Sequence, residues 1–138
     1  MSTPLHQLQD LGQQVWLDYI RRSLTRSGGL KRMLTHDALT GMTSNPSLFE
    51  KAMGQGDEYD EQIHEVMART QDAQEIYKEL AVTDIQEAAD VFRPVYDSAN
   101  GEKGFVSLEV SPRLAYDTEG TCGQVREFYQ KVNRPNVM

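Results

Sequence analysis

The sequence is poor in cysteine and in long apolar segments. Cys122 is the single cysteine of the 138 residues, so an internal disulfide is excluded and a reducing compartment is expected. No apolar run approaches the roughly 20 residues of a transmembrane helix. The first residues have neither the basic segment nor the apolar core of a secretory signal. A cytoplasmic protein without a membrane partner is therefore predicted.

Positive charge is also scarce, with 14 Lys and Arg against 21 Asp and Glu and a net charge of −7. The basic residues are scattered, whereas affinity for a nucleic acid rests on clustered positive charge, so no nucleic-acid partner is expected. His6, His36 and His64 stand far apart without metal-ligand spacing. The glycine-rich segments lack the Gly-Lys-Ser/Thr ending of a phosphate loop. These patterns predict no metal site and no nucleotide loop.

Short apolar segments alternate with helical patterns along the chain. Residues 15–20, 39–44 and 105–111 are predicted strands, and 136–138 begin a fourth. Helices are predicted at 5–12, at 21–34 with a break at the glycine pair 28–29, and beyond a cap at Asp117 or Thr118. Residues 46–99 are expected to hold two or three helices, with Pro46 in a first helical position and a boundary near Thr83 and Asp84.

This alternation indicates an α/β fold built from βα units around a parallel sheet. Because the chain stops within the predicted fourth strand, it is expected to be a fragment, or the first half of a longer β/α barrel.

Polar side chains follow three successive predicted strands near their carboxyl ends. Asp18 and Glu109 lie within apolar segments and are expected to be buried, where a carboxylate needs a partner. The second strand contributes Thr43, Ser44 and Asn45. Because parallel barrels build their active sites at the carboxyl ends of their strands, these residues predict one site.

A structural alternative remains open at each acid. Asp18 would then pair with Arg21 or Arg22, and Glu109 with Arg113, in ion pairs without a catalytic role. Trp16, on the first strand, is expected to pack in the core, with a role at a barrel rim as its alternative.

Three segments resemble the transaldolase family. Residues 41–49, Gly-Met-Thr-Ser-Asn-Pro-Ser-Leu-Phe, resemble its pattern Gly-x-Thr-Ser/Thr-Asn-Pro-Ser/Thr. Residues 15–20, Val-Trp-Leu-Asp-Tyr-Ile, resemble its first strand, and residues 107–118 resemble its third strand with the helix start beyond it. Their order and spacing agree over essentially the whole chain.

The resemblance implies a parallel (β/α)8 TIM-type barrel of the class I aldolase superfamily. Residues 1–138 would form the N-terminal part of a single barrel domain, about strands 1–4, with a helical insertion at about 46–99. The family moves a dihydroxyacetone unit between sugar phosphates in the pentose phosphate pathway, converting sedoheptulose 7-phosphate and glyceraldehyde 3-phosphate to erythrose 4-phosphate and fructose 6-phosphate. It does so through a lysine Schiff base, without a metal or an organic cofactor.

Residue roles carry over by position. Asp18 matches the acid that handles protons at the donor hydroxyls, and Glu109 the acid that holds a catalytic water near the lysine. Asn45 matches a residue that binds the dihydroxyacetone moiety, with Thr43 and Ser44 beside it as further substrate-binding residues.

The reactive lysine of the fourth strand is the departure from the family pattern. The five lysines of this chain are all expected in helices or loops: Lys31, Lys51, Lys78, Lys103 and Lys131. The chain alone is therefore predicted to be inactive.

Two alternatives remain. A half-barrel leaves sheet edges exposed, so a non-catalytic module that self-associates is one of them. The other is a fructose-6-phosphate aldolase, disfavoured because that branch usually has glutamine at position 109 and lacks a long helical insertion.

Overall fold

The computed structural model describes residues 3–138, which form a three-stranded parallel sheet with helices packed against it. The strands are β1 (Val15–Asp18), β2 (Leu39–Thr43) and β3 (Phe105–Val106), in the order β1-β2-β3. Val106 also forms a parallel bridge to Val137 on the far side of β3. The predicted strands are thus found in place, but the third is two residues long instead of seven, and the fourth is a single bridge.

Seven helices surround the sheet in the described part of the chain. They are α1 (Pro4–Asp10), α2 (Arg22–Arg26), α3 (Gly29–His36), α4 (Pro46–Met53), α5 (Asp60–Met67), α6 (Ala73–Ser98) and α7 (Thr118–Val132), and a 3-10 turn occupies Pro112–Leu114. Over residues 3–138, none of them combines the length and the apolar character needed to cross a membrane.

Local chemistry explains where these helices begin. Asn45 is the N-cap of α4, with its side-chain oxygen accepting from the Leu48 amide at 3.0 Å and Pro46 following it. Asp117 caps α7 in the same way, through the Gly120 amide at 2.9 Å. The break between α2 and α3 falls at Gly28, whose φ of +77° lies in the left-handed region that glycine adopts freely. The predictions at these three points are confirmed.

The predicted helix boundary at Thr83 and Asp84 is wrong. Helix α6 runs for 26 residues without interruption at this point. It stays continuous because its apolar residues keep helical spacing throughout, and Ile85, Ala88 and Phe92 are fully buried. Asp84 shares this buried face and is 2% exposed.

The core lies on one face of the sheet, where Met42 of β2 and Val106 of β3 pack with α6 in one buried cluster. The opposite face carries Trp16 and Asp18 of β1 in register with Gly41 and Thr43 of β2. The indole of Trp16 lies over Gly41, so that a Cβ at Gly41 would come within 2.5 Å of the ring atom Cδ2. This second face is only partly covered, and Asp18 at its end is exposed.

Candidate active site

The first pair of site residues meets where β1 and β2 end. Asp18 and Thr43 are direct neighbours in the parallel register. The Thr43 hydroxyl donates to Asp18 Oδ1 at 2.7 Å. The structure therefore brings together two of the residues that the sequence assigned to one site, and it orients the carboxylate of Asp18 through a neighbouring strand.

Asp18 differs from the expectation in two respects. Its side chain is exposed instead of buried, because it is the last residue of β1 on the uncovered face of the sheet. Among the described residues it also has no arginine partner: Arg21 Nε donates to Glu58 at 2.6 Å, and Arg22 Nε donates to Asp84 at 2.8 Å. The structural alternative for Asp18, an ion pair with Arg21 or Arg22, is thus wrong.

Ser44 and Asn45 follow β2 and are engaged in different ways. Ser44 is 1% exposed, and its hydroxyl donates to the Ser107 carbonyl at 2.8 Å. This bond ties the end of β2 to the segment that leads to Glu109. The oxygen of the half-buried Asn45 amide is used by the α4 cap, whereas its NH2 group donates no hydrogen bond within residues 3–138. Asn45 thus keeps a free donor two residues after Thr43.

Glu109 lies in the extended segment beyond β3, on the same edge of the sheet as Asp18, since all three strands are parallel. It too is exposed instead of buried, because its neighbours Leu108 and Val110 pack against the core and the alternation of side chains in extended backbone turns Glu109 outward. The predicted alternative, an ion pair with Arg113, is not formed among the described residues, although both side chains line a cavity of about 150 Å³.

A buried polar cluster surrounds Arg22, and the sequence did not predict it. Arg22, 3% exposed, places its guanidinium over the Tyr59 ring at 4.3 Å, and its NH2 group donates to Gln62 at 2.6 Å. The Tyr59 hydroxyl donates to the second carboxylate oxygen of Asp84 at 2.7 Å. Burial and this bond to a carboxylate raise the pKa of Tyr59, so the phenol remains a donor.

This cluster anchors the chain directly after Asp18. Arg22 is the first residue of α2, and its partners belong to α6 and to the segment of α5 with its preceding turn. Its neighbour Arg21 binds Glu58 of the same turn. An acid at a buried helical position, Asp84 between Val82 and Ile85, is the sequence signal that could have revealed it.

The five lysines lie where the sequence predicted. Four are helical, and Lys103 lies in the loop between α6 and β3: Lys31 is in α3, Lys51 in α4, Lys78 in α6 and Lys131 in α7. None is at a strand end. Lys78 and Lys131 are further bound to glutamates, with Lys78 to Glu75 at 2.8 Å and Lys131 to Glu127 at 3.1 Å.

The arrangement suits proton transfer to and from hydroxyl groups. An exposed carboxylate oriented by a hydroxyl donor can accept or donate a proton, and a nearby amide can bind a sugar hydroxyl. Across residues 3–138, His, Cys, Asp and Glu side chains form no group of three that could hold a metal ion.

Comparison with known proteins identifies one family. A family model described as Transaldolase/Fructose-6-phosphate aldolase matches residues 15–138. A protein named Transaldolase from Thermobifida fusca (strain YX) is 46% identical over 138 residues, all of this chain and 38% of the relative. A Transaldolase from Parafrankia sp. (strain EAN1pec) is 42% identical over 137 residues, 99% of this chain and 37% of the relative.

A third relative gives the same result. Transaldolase from Thiobacillus denitrificans (strain ATCC 25259 / T1) is 40% identical over 128 residues, 93% of this chain and 36% of that protein. The chain thus spans a little over a third of the length of the curated relatives it matches.

Proposed function

Because the chain belongs to the transaldolase/fructose-6-phosphate aldolase family, we propose that it carries part of a transaldolase active site. The reaction is the transfer of a dihydroxyacetone unit between sugar phosphates of the pentose phosphate pathway, through a lysine Schiff base. The bond between Thr43 and Asp18 at the ends of adjacent parallel strands is the observation that carries the proposal. Residues 1–138 would then be the N-terminal part of a (β/α)8 barrel, with residues 46–99 as a helical insertion.

In this proposal the polar residues at the strand ends have different roles. Asp18 moves protons at the donor hydroxyls, and Thr43 holds its carboxylate in place. Asn45 binds the dihydroxyacetone moiety through its free NH2 group. Ser44 contributes through its bond to Ser107, which fixes the substrate-binding segment 43–45 against the segment that carries Glu109. Glu109 holds the water used in forming and hydrolysing the Schiff base.

We further propose that the 138-residue chain by itself has no transaldolase activity. A lysine nucleophile needs a depressed pKa or an adjacent base. None of the five lysines lies at a strand end, and the pKa of Lys78, which lines the same cavity as Glu109, is raised instead, chiefly by its hydrogen bond to Glu75.

Borohydride trapping with fructose 6-phosphate tests the inactivity. The chain is incubated with sugar and reductant, and its intact mass is measured beside the Thermobifida fusca relative as a positive control. We expect a reduced adduct on the relative and none on this chain. An adduct on any lysine of this chain contradicts the proposal.

A chimera tests the reaction itself. This chain replaces the matched 38% of the Thermobifida fusca transaldolase, and transfer to erythrose 4-phosphate is compared with simple cleavage of fructose 6-phosphate. We expect transfer, its loss in Asp18→Asn, and its retention in the control Asp10→Asn at the exposed end of α1. Cleavage without transfer would favour a fructose-6-phosphate aldolase instead.

A second candidate function, a module that self-associates, is favoured by an exposed apolar strip. Val125 and Tyr129 of α7 are 52% and 58% exposed, and with Leu108 and Phe128 they line an apolar cleft beside β3. The occupant that we propose is a second copy of the chain, since apolar side chains at a sheet edge favour pairing with another chain.

Sedimentation velocity over a hundredfold concentration range tests this association. We expect a concentration-dependent dimer that Tyr129→Glu abolishes. The matched control is Tyr116→Glu, a fully exposed tyrosine outside the cleft, which should leave the dimer intact. A compact monomer at every concentration counts against the module.

A further inference from the structure

A small cavity adjoins Glu109 on the side of the helices. It has a volume of about 150 Å³ and lies between α6, α7 and the segment that follows β3. Its walls are mainly apolar, with Val110 and Phe128 among them, and its polar lining includes Gln74, Tyr77, Lys78, Glu109, Arg113 and Gln124. A cavity of this size holds up to about five waters, at roughly 30 Å³ each in the liquid.

Tyr77 is the unusual member of this lining. Its hydroxyl oxygen is buried and has no hydrogen-bond partner among residues 3–138. The ring is held edge-on against Phe49, with 5.8 Å between the ring centroids. Since buried tyrosine hydroxyls are normally hydrogen-bonded, a phenol without a protein acceptor favours an acceptor inside the cavity that it lines.

Among the groups that line the cavity, Glu109 is a charged acceptor that receives no hydrogen bond from a described residue. Lys78 is bound to Glu75 at 2.8 Å and to Glu127 at 3.4 Å, and Arg113 is an exposed donor. Burial, followed by the negative charge of Glu109, raises the pKa of Tyr77. The phenol therefore stays protonated at neutral pH and keeps a proton to donate.

We propose that Tyr77 is a positioning residue for Glu109, its phenol donating to a water in this cavity that in turn donates to the Glu109 carboxylate. The cavity meets both requirements of such a water, enough room and at least two polar partners. The bridge restrains the exposed Glu109 carboxylate from the cavity side, as the Thr43 hydroxyl restrains the carboxylate of Asp18. That this orients a catalytic group rests on the proposed function, whereas the bridge itself does not.

A double-mutant cycle on the 138-residue chain tests the bridge without any activity. The unfolding equilibrium constant is measured in urea at pH 7 for wild type, Tyr77→Phe, Glu109→Ala and the double variant. We expect a coupling of about fivefold between the two positions, because contacting residues are not additive. The control pair is Tyr96→Phe with Glu109→Ala, since Tyr96 packs on Phe105 outside the cavity, and it should be additive.

The titration of the Tyr77 hydroxyl supplies a reading that a purely structural role would not change. It is followed through the ring carbon Cζ by NMR and assigned among the 6 tyrosines with Tyr77→Phe. We expect Glu109→Gln to lower the pKa of Tyr77, whereas Glu119→Gln on α7 leaves it unchanged. Additive cycle energies together with an unmoved Tyr77 pKa overturn the inference. Both results stand whether or not the chimera transfers dihydroxyacetone.

Discussion

The buried pair Arg22–Asp84 offers the sharpest test of how this chain holds its site together. Replacing Asp84 by leucine removes the carboxylate that binds Arg22 Nε at 2.8 Å. The arginine then remains as an unpaired charge whose side chain is 3% exposed. Tyr59 loses the acceptor of its hydroxyl in the same step.

The magnitude follows from burial. Leaving one partner of a buried ion pair without the other costs about 3–5 kcal/mol. A domain of this size has about 5–15 kcal/mol of stability in total, so the variant loses a large fraction of it. Replacing both residues, Arg22→Met with Asp84→Leu, leaves no unpaired charge and is expected to cost less than Asp84→Leu alone.

Urea unfolding, followed by circular dichroism, measures these differences. With a denaturant slope of about 2 kcal/mol per M, Asp84→Leu should lower the midpoint by about 2 M. Asp97→Leu, in the same helix, is the control: its pair with Arg93 is about half exposed and is expected to contribute less than about 1 kcal/mol. An Asp84→Leu midpoint within 0.5 M of wild type, a roughly 1 kcal/mol loss at that slope, or a double variant less stable than Asp84→Leu, would refute the reasoning.

Two further predictions concern the middle of β2 and the turn before α5. Gly41→Ala places a Cβ within 2.5 Å of the Trp16 ring, so we expect the indole to be displaced. This should change the tryptophan fluorescence and lower the free energy of unfolding by about 1–3 kcal/mol. The control Gly123→Ala, whose Cβ meets nothing within 4 Å, should change neither. Burial alone would raise the pKa of Glu58, but the bonds from Arg21 and Ser23 lower it below its usual value. Its stabilisation should therefore be present above pH 4.5 and be lost as the pH falls below that value, and Glu58→Gln should flatten urea midpoints measured in this acid range.

Local chemistry made the helix starts predictable. Asn45 with Pro46, Asp117 and the Gly28 break each act within four residues, and so they can be recognised in the sequence without knowledge of the fold. The parallel order of the strands followed from their alternation with helices in the same way.

Partners distant in sequence were not predictable from spacing. Arg21 and Arg22 are near Asp18 along the chain, which suggested a pair, yet their partners lie 37 and 62 residues away. The predicted burial of Asp18 and Glu109 failed for a related reason. Apolar neighbours indicate that a segment packs in a core, but side chains alternate along a strand, and both acids fall on positions that the described residues leave exposed.

The distant partners explain how an exposed carboxylate can still be held in position. Within residues 3–138, Asp18 makes one side-chain hydrogen bond, to Thr43. The segment after it is fixed by Arg21 and Arg22 through partners in the turn before α5 and in α6. Those partners all lie within residues 46–99, the stretch predicted to be an insertion. This stretch is therefore part of the support of the β1 strand end, and shortening it would remove the anchor of α2 along with the helices themselves. Residues 46–99 therefore help to fix the backbone that follows Asp18 in this chain.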